Sequence, residues 1–188
     1  MEYIRGKELW EVIREIGLLN KQQTQFYGAS MLLAIDYLHK KKVVYRDIKP
    51  ENVIVIQNGY IKLIDFGTAK EITDRTNTII GTPHYMAPEV VLGEGYSFQV
   101  DMWSIGIILF NMLTGFQPFD GNTPDELDNA VITKDIYFKA IKNKQLRKLC
   151  MGLLEKDPDN RWDSSKALNE AERIKNEIYS ATRNDNTN

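Results

Sequence analysis

Tyr45-Arg46-Asp47-Ile48-Lys49-Pro50-Glu51-Asn52, followed further on by Asp65-Phe66-Gly67, decides how the rest of this chain is read. An Asp is followed two residues on by a Lys and three beyond that by an Asn. Either aspartate alone would read as a turn or cap residue, because Asp bonds its own backbone readily. Met86-Ala87-Pro88-Glu89 lies beyond them. Each motif is weak alone; their order and spacing together carry the information. Between the two aspartates run Val53-Ile54-Val55-Ile56 and Tyr60-Ile61-Lys62-Leu63-Ile64, two β-type stretches. Asn58-Gly59 between them is a hairpin signal, since both residues tolerate positive φ. Asp47, Lys49, Asn52 and Asp65 thus flank one hairpin and are expected on one edge of a cleft.

Working outward, the periodicity changes. Residues 1–6 read as a short extended or turn segment. Apolar residues at 9, 12, 13 and 16 give 7–16 a helical period, ended by Gly17. A longer helix is expected over 21–42, its apolar face running through Phe26, Ala29, Leu33, Ile35 and Leu38. Lys40-Lys41-Lys42 suits its C-terminus, where cations meet the negative end of the dipole. Val43-Val44 is a third short β run. Residues 68–89 are rich in Thr and polar side chains without a period, and a long irregular segment in a compact domain is usually functional. The almost wholly apolar stretch 100–114 should be the buried axis of the domain. Further helices are expected over 124–131, 144–154 and 164–179, with Thr123-Pro124 and Asp163-Ser164 as cap-and-start pairs. The fold class is therefore mostly α with short β-hairpins: one domain over 1–180, then a polar tail, 181–188, expected to be disordered.

Composition narrows the function classes. The chain has 188 residues, enough for one domain with a real core. Lys+Arg 24 against Asp+Glu 26 leaves no basic surplus for nucleic acid or an anionic membrane. Cys150 is the only cysteine, so there is no internal disulfide; it reads as a small buried hydrophobe. Charges interrupt the first twenty positions, against a signal peptide. The apolar run 105–110 is too short to span a bilayer. A cytoplasmic location is expected.

The three motifs resemble those of eukaryotic-type serine/threonine protein kinases. The resemblance covers about residues 1–180, as the larger, mostly helical C-terminal lobe of such a domain. It implies ATP and Mg2+ as cofactors and a protein as substrate. Asp47 would accept or orient the substrate hydroxyl proton, and Lys49 would point toward the γ-phosphate. Asn52 and Asp65 would bind magnesium as hard oxygen donors. Lys49, where tyrosine kinases have Arg, and Gly81-Thr82-Pro83 are serine/threonine-like, with the Thr82 hydroxyl touching the catalytic Asp and Lys. Arg46 before Asp47 marks kinases switched by a phosphate on the activation loop. Thr78 occupies the position of that phosphate, with Arg46 and Lys70 as its clamp and Thr76 as the rival site. Glu89 and Arg161 would form the buried ion pair behind the loop. Asp101 would hold the catalytic loop's amides, with His39 as a structural support. His84 has no assigned chemistry.

On the nucleotide side, Met1-Glu2-Tyr3-Ile4 resembles the hinge that reads adenine. Glu2 and Ile4 would face the base and Glu8 the ribose, while Ile54 would floor the adenine and Glu51 would line the same edge. Tyr45, Lys-Pro-Glu-Asn and Gly81-Thr82-Pro83-His84-Tyr85 look most like cyclic-nucleotide-dependent kinases, and residues 2–18 like cyclic-GMP-dependent ones. Asn111 and His84 replace two acids of that group, leaving Glu51 as the one arginine-binding acid, so basic-substrate preference stays open. The glycine-rich loop and strand lysine of the family's N-terminal lobe are expected upstream of Met1. Without them the 188 residues are expected to be inactive. A non-catalytic interaction module or a truncated gene product is the alternative.

Overall fold

The structure, a computed structural model, describes residues 3–184, with side chains described as far as Ile174. Helix α4, Gln99–Thr114, is its axis: twelve of its sixteen residues are buried, as the apolar run predicts. Two glycines let neighbours approach that axis closely. A Cβ on Gly28 would sit 2.6 Å from Leu109 Cδ2, and one on Gly106 would sit 2.8 Å from Leu154 Cδ2.

Around α4 lie α2 (Lys21–Lys40), α6 (Lys144–Leu153) and, on the far side of α2, α7 (Ser164–Asn184). α5 (Pro124–Thr133) packs against the short α3 (Pro88–Val91). The caps are those of the sequence signals. Thr123 Oγ1 accepts from Glu126 N at 3.2 Å, and Asp163 Oδ1 accepts from Lys166 N at 2.7 Å. Asn143 caps α6 in the same way. Helix α7 continues to Asn184, so the first residues of the stretch expected to be a disordered tail, 181–184, are helical. Residues 185–188 lie outside the described ones.

Three local expectations need correction. The buried face of α2 is Thr24, Gly28, Met31, Leu32 and Ile35, whereas Phe26 and Leu33 are exposed. α2 is pressed between α4 and α7, and the 24-28-31-35 stripe meets them. The 26-29-33 stripe turns outward. Second, α2 ends at Lys40; Lys42 takes φ 59 and turns the chain into β2 (Val43–Val44). Third, Lys7 and Glu8 belong not to α1 (Leu9–Ile16) but to β1 (Gly6–Glu8). β1 pairs antiparallel with β3 (Val53–Ile56), which pairs with β4 (Ile61–Leu63), and ladder pairing overrides the local helical period.

The β3–β4 hairpin forms where expected, by a different turn. Only Gly59 has positive φ, at 84°. Its N–H donates to Ile56 O at 2.8 Å while Ile56 N donates to Tyr60 O at 2.9 Å, a three-residue loop with glycine in the left-handed position. Asn58 contributes through its side chain, accepting from Tyr60 N at 3.1 Å. A second sheet, unforeseen on its later strand, pairs β2 with β5 (Lys70–Glu71). The two small sheets bracket the residues that carry chemistry.

Candidate active site

The loop between β2 and β3 is fixed from behind by α4. Asp101, fully buried, accepts from Arg46 N at 2.8 Å and from Tyr45 N at 2.9 Å. His39 Nε2 lies 2.8 Å from the same carboxylate. These bonds hold Arg46 at φ 74, a left-handed conformation that costs a side-chain-bearing residue energy and persists only when its surroundings impose it. The Tyr45 hydroxyl donates to Ile64 O, and its ring meets Phe66 edge-on at 5.3 Å. Burial, aided by the carboxylates of Asp47, Asp65 and Asp101, pushes the Tyr45 phenol up, so it stays a neutral donor.

From this platform four polar side chains close on one another. Thr82 Oγ1 donates to Asp47 Oδ1 at 2.7 Å. Lys49 Nζ lies 2.8 Å from Asp47 Oδ2 and donates to Thr82 Oγ1 at 3.0 Å. Asn52 Nδ2 donates to Asp47 O at 2.9 Å and to Oδ2 at 3.2 Å. Burial raises the Asp47 carboxyl, but the hydrogen bonds from Lys49, Thr82 and Asn52 and the charge of Lys49 together outweigh it, and the net shift is downward. Asp47 is therefore an anion at neutral pH, able to orient a hydroxyl and a weak base toward it. Asp65 follows Ile64, whose N–H donates to Asn52 O at 3.0 Å, so the backbone brings it to the same edge. Its φ is 58, its Oδ1 accepts from Gly67 N at 3.1 Å, and it is exposed.

Asn52 and Asp65 suit a magnesium ion. The Asn52 amide nitrogen is committed to Asp47, which leaves Oδ1 as the oxygen that can face a cation. Asp65 keeps Oδ2 beside its turn bond. Among the described residues no group of three or more His, Cys, Asp or Glu could cage a metal. Magnesium is commonly held by one or two carboxylates with substrate phosphates completing the shell.

The nucleotide-side residues are partly brought together. Glu8 stands opposite Ile54 in the β1–β3 register, and Ile4 is half-buried. Glu2 lies outside the described residues. Glu51 sits in the one-turn segment Pro50–Asn52.

Lys70 Nζ donates to Thr76 Oγ1 at 3.0 Å rather than to Thr78. Thr76 is buried and forms an antiparallel bridge with Tyr96, whereas Thr78 is exposed, its carbonyl accepting from Tyr96 Oη at 2.5 Å. The bridge turns Thr76 inward, and a neutral Thr78 hydroxyl draws no cation outward. Arg46 Nε donates to Thr68 O at 2.6 Å, and its buried Nη1 has no partner among the described residues. Tyr96 was missed in the sequence; Gly95-Tyr96-Ser97 carries no local signal of a loop anchor.

Behind the segment, Glu89 and Arg161 pair as expected. Arg161 Nη1 and Nη2 donate to the two Glu89 oxygens at 2.6 and 2.9 Å, both side chains buried. Arg161 also donates to Glu155 O at 2.7 Å and stacks 5.0 Å over the Trp103 ring.

Among the described residues no helix is long and apolar enough to cross a membrane. The protein kinase domain family matches residues 1–171. The chain is 51% identical over 127 residues to a cGMP-dependent protein kinase of Plasmodium berghei (strain Anka), covering 68% of this chain and 15% of that protein. The cGMP-dependent protein kinase of Eimeria tenella is 50% identical, with 68% and 13% covered. The human cAMP-dependent protein kinase catalytic subunit PRKX is 41% identical over 166 residues, 88% of this chain and 46% of that protein. The chain thus spans less than half the length of each of these relatives.

Proposed function

The chain belongs to the protein kinase family, and we propose that it carries the catalytic loop that transfers the ATP γ-phosphate to serine or threonine hydroxyls of proteins. The observation that carries this proposal is the closed cluster of Asp47, Lys49, Asn52 and Thr82 beside Asp65. Asp47 orients the incoming hydroxyl and takes up its proton as the phosphoryl group moves. Lys49 neutralises charge developing on the transferred group, and Thr82 fixes the lysine and the carboxylate relative to each other. Asn52 and Asp65 would hold a magnesium ion, whose charge would offset that of the phosphate oxygens. Glu8 and Ile54 face the nucleoside, with Glu2 and Ile4 reading the base. A phosphate on Thr78 would recruit Arg46 and Lys70, the latter by leaving Thr76. A cytoplasmic setting and a preference for basic protein substrates through Glu51 complete the proposal.

Residues 1–188 alone are proposed not to turn over. Among the described residues there is no glycine-rich loop to cradle the α- and β-phosphates, and positioning can be worth about 7–11 kcal/mol of barrier. The test is transfer of labelled phosphate to matched serine, threonine and tyrosine peptides by residues 1–188 and by the same chain completed with a glycine-rich lobe. Transfer to serine and threonine by the completed chain alone supports the proposal. Tyrosine as the preferred acceptor would contradict the role given to Lys49.

A further inference from the structure

Charge is unevenly spread along the second half of the chain. Residues 134–148 hold Lys134, Lys139, Lys142, Lys144, Arg147 and Lys148 against the one acid Asp135, in a chain whose net charge is -2. Arg147 is committed to the fold, donating to Ile141 O from Nε at 2.8 Å and from Nη2 at 2.6 Å. Lys142, Lys144 and Lys148 are exposed. A face that only had to be soluble would intersperse both signs, because gathered like charges repel one another.

The cations converge where α6 packs on α7. A Cβ on Gly152 would sit 2.2 Å from the Trp162 ring, and the Gly152 carbonyl accepts from Trp162 N at 2.9 Å. The indole therefore lies directly on α6, half-buried. Lys148 Nζ is 5.8 Å from the centroid of that ring and Lys166 Nζ is 5.1 Å from it. Lys144 stands one turn before Lys148 on the same face of α6. Glu170 is buried in the seam and serves two cations, Lys148 Nζ at 3.2 Å and Arg173 Nη2 at 2.5 Å. Asp163, next to the ring in sequence, turns its Oδ1 to the amide of Lys166 at 2.7 Å. Lys144, Lys148, Lys166 and Arg173 thus outnumber the two carboxylates around one indole.

We propose that the α6–α7 seam docks an acidic segment of a partner protein, whose carboxylates meet Lys144, Lys148 and Lys166. The ring of Trp162 holds two of the ammonium groups in place by its π face. Lysine suits the task, because its ammonium is a mobile point charge that follows a carboxylate without demanding one geometry. A membrane fits less well. Leu146, Leu149, Cys150 and Leu153 of α6 are all in the core, which leaves Met151 alone to insert. A nucleic-acid backbone fits less well, because the arginine of α6 is turned onto Ile141 rather than outward. No residue of the seam takes part in the Asp47 cluster, so this inference goes beyond the kinase reading and does not rest on it.

The experiment measures equilibrium binding to residues 1–188 by fluorescence anisotropy. The probes are a labelled peptide of alternating glutamate and glycine, its glutamine counterpart, and a single-stranded oligonucleotide of the same charge as the glutamate peptide. Phosphatidylserine vesicles are compared by co-sedimentation. The glutamate peptide should bind about 10-fold more tightly than the glutamine one, as a few exposed ion pairs together allow, and the ratio should shrink as salt rises. Lys148→Gln with Lys166→Gln should remove most of that ratio. Arg14→Gln with Lys41→Gln, an equal loss of charge elsewhere, should keep it. If the first double variant does not fold, Lys166→Gln alone should still lower the ratio, since it removes only an exposed ring contact. A ratio near one, a ratio unchanged in the seam variants, or an equal loss in both double variants would overturn the proposal. Tighter binding of the oligonucleotide or of the vesicles than of the glutamate peptide would overturn the assignment of a protein partner.

Discussion

The catalytic loop has two sides, and they are held very differently. Behind it, Asp101, His39, Glu89 and Arg161 are buried or nearly so, and each charged group has named partners drawn from distant parts of the chain. In front of it, Asp65, Phe66 and Thr78 are exposed, and the segment around Thr78 is tied by the Thr76–Tyr96 bridge and by side-chain contacts from Lys70 to Thr76 and from Tyr96 to the Thr78 carbonyl. A buried frame fixes where Asp47 stands. A loosely held front can be rearranged by one added charge, because few bonds must break first. Rigidity thus sits where geometry must not change, and freedom where a switch is needed.

Substitutions can break this contrast. The largest effect is expected for Arg161→Ala, which leaves Glu89 buried without its partner and should cost about 3–5 kcal/mol in urea unfolding. A loss below about 1 kcal/mol would mean that the rear frame does not depend on this pair. Asp101→Ala should follow, at about 2–4 kcal/mol, because the amides of Tyr45 and Arg46 lose a charged acceptor. Amide hydrogen exchange at those two residues should quicken in that variant before global unfolding does.

A smaller effect concerns acid. Lys40, through its hydrogen bond, holds the Asp36 carboxyl below its ordinary value, against burial and with help from Ser164. Since the folded value is the lower one, this stabilisation is complete above the unfolded pKa, near 3.8, and is lost as pH falls through the folded value. Lys40 is largely exposed, so the amount is below about 1 kcal/mol. Asp36→Asn should flatten the acid limb of the stability profile, and an unaltered limb would show that Asp36 does not shape it. The smallest effect is expected at the front: Lys70→Ala should change unfolding free energy by no more than about 0.5 kcal/mol. A loss comparable to that of Asp101→Ala would erase the contrast between the two sides.

What could be read in the sequence follows the same division. The rear frame was legible because its residues sit in fixed motifs and because an apolar run such as 100–114 leaves a helix nowhere but the core. The Asp47–Lys49–Asn52 grouping was legible because all three share one loop. Whether Lys70 faces Thr76 or Thr78 was not legible, because it depends on the bridge between Thr76 and Tyr96, a tertiary pairing without a local pattern. The outward face of α2 was misjudged for a related reason: with apolar residues on two stripes, only the positions of α4 and α7 decide which is buried. Glu8 fell to β1 because an edge of β3 was available, which the helical period around it could not reveal.

The most direct test of the central claim is the effect of Asp47→Asn on phosphate transfer, measured with labelled ATP and a general basic protein substrate in the chain completed with a glycine-rich lobe. Asn keeps the shape and can still accept from Thr82, but it carries no charge and cannot take up a proton. Transfer should fall by about 10²–10⁴-fold, the range of a lost general base, while the urea midpoint stays nearly in place. Transfer that persists at close to the original rate in Asp47→Asn would contradict the assignment of this cluster as the reacting centre.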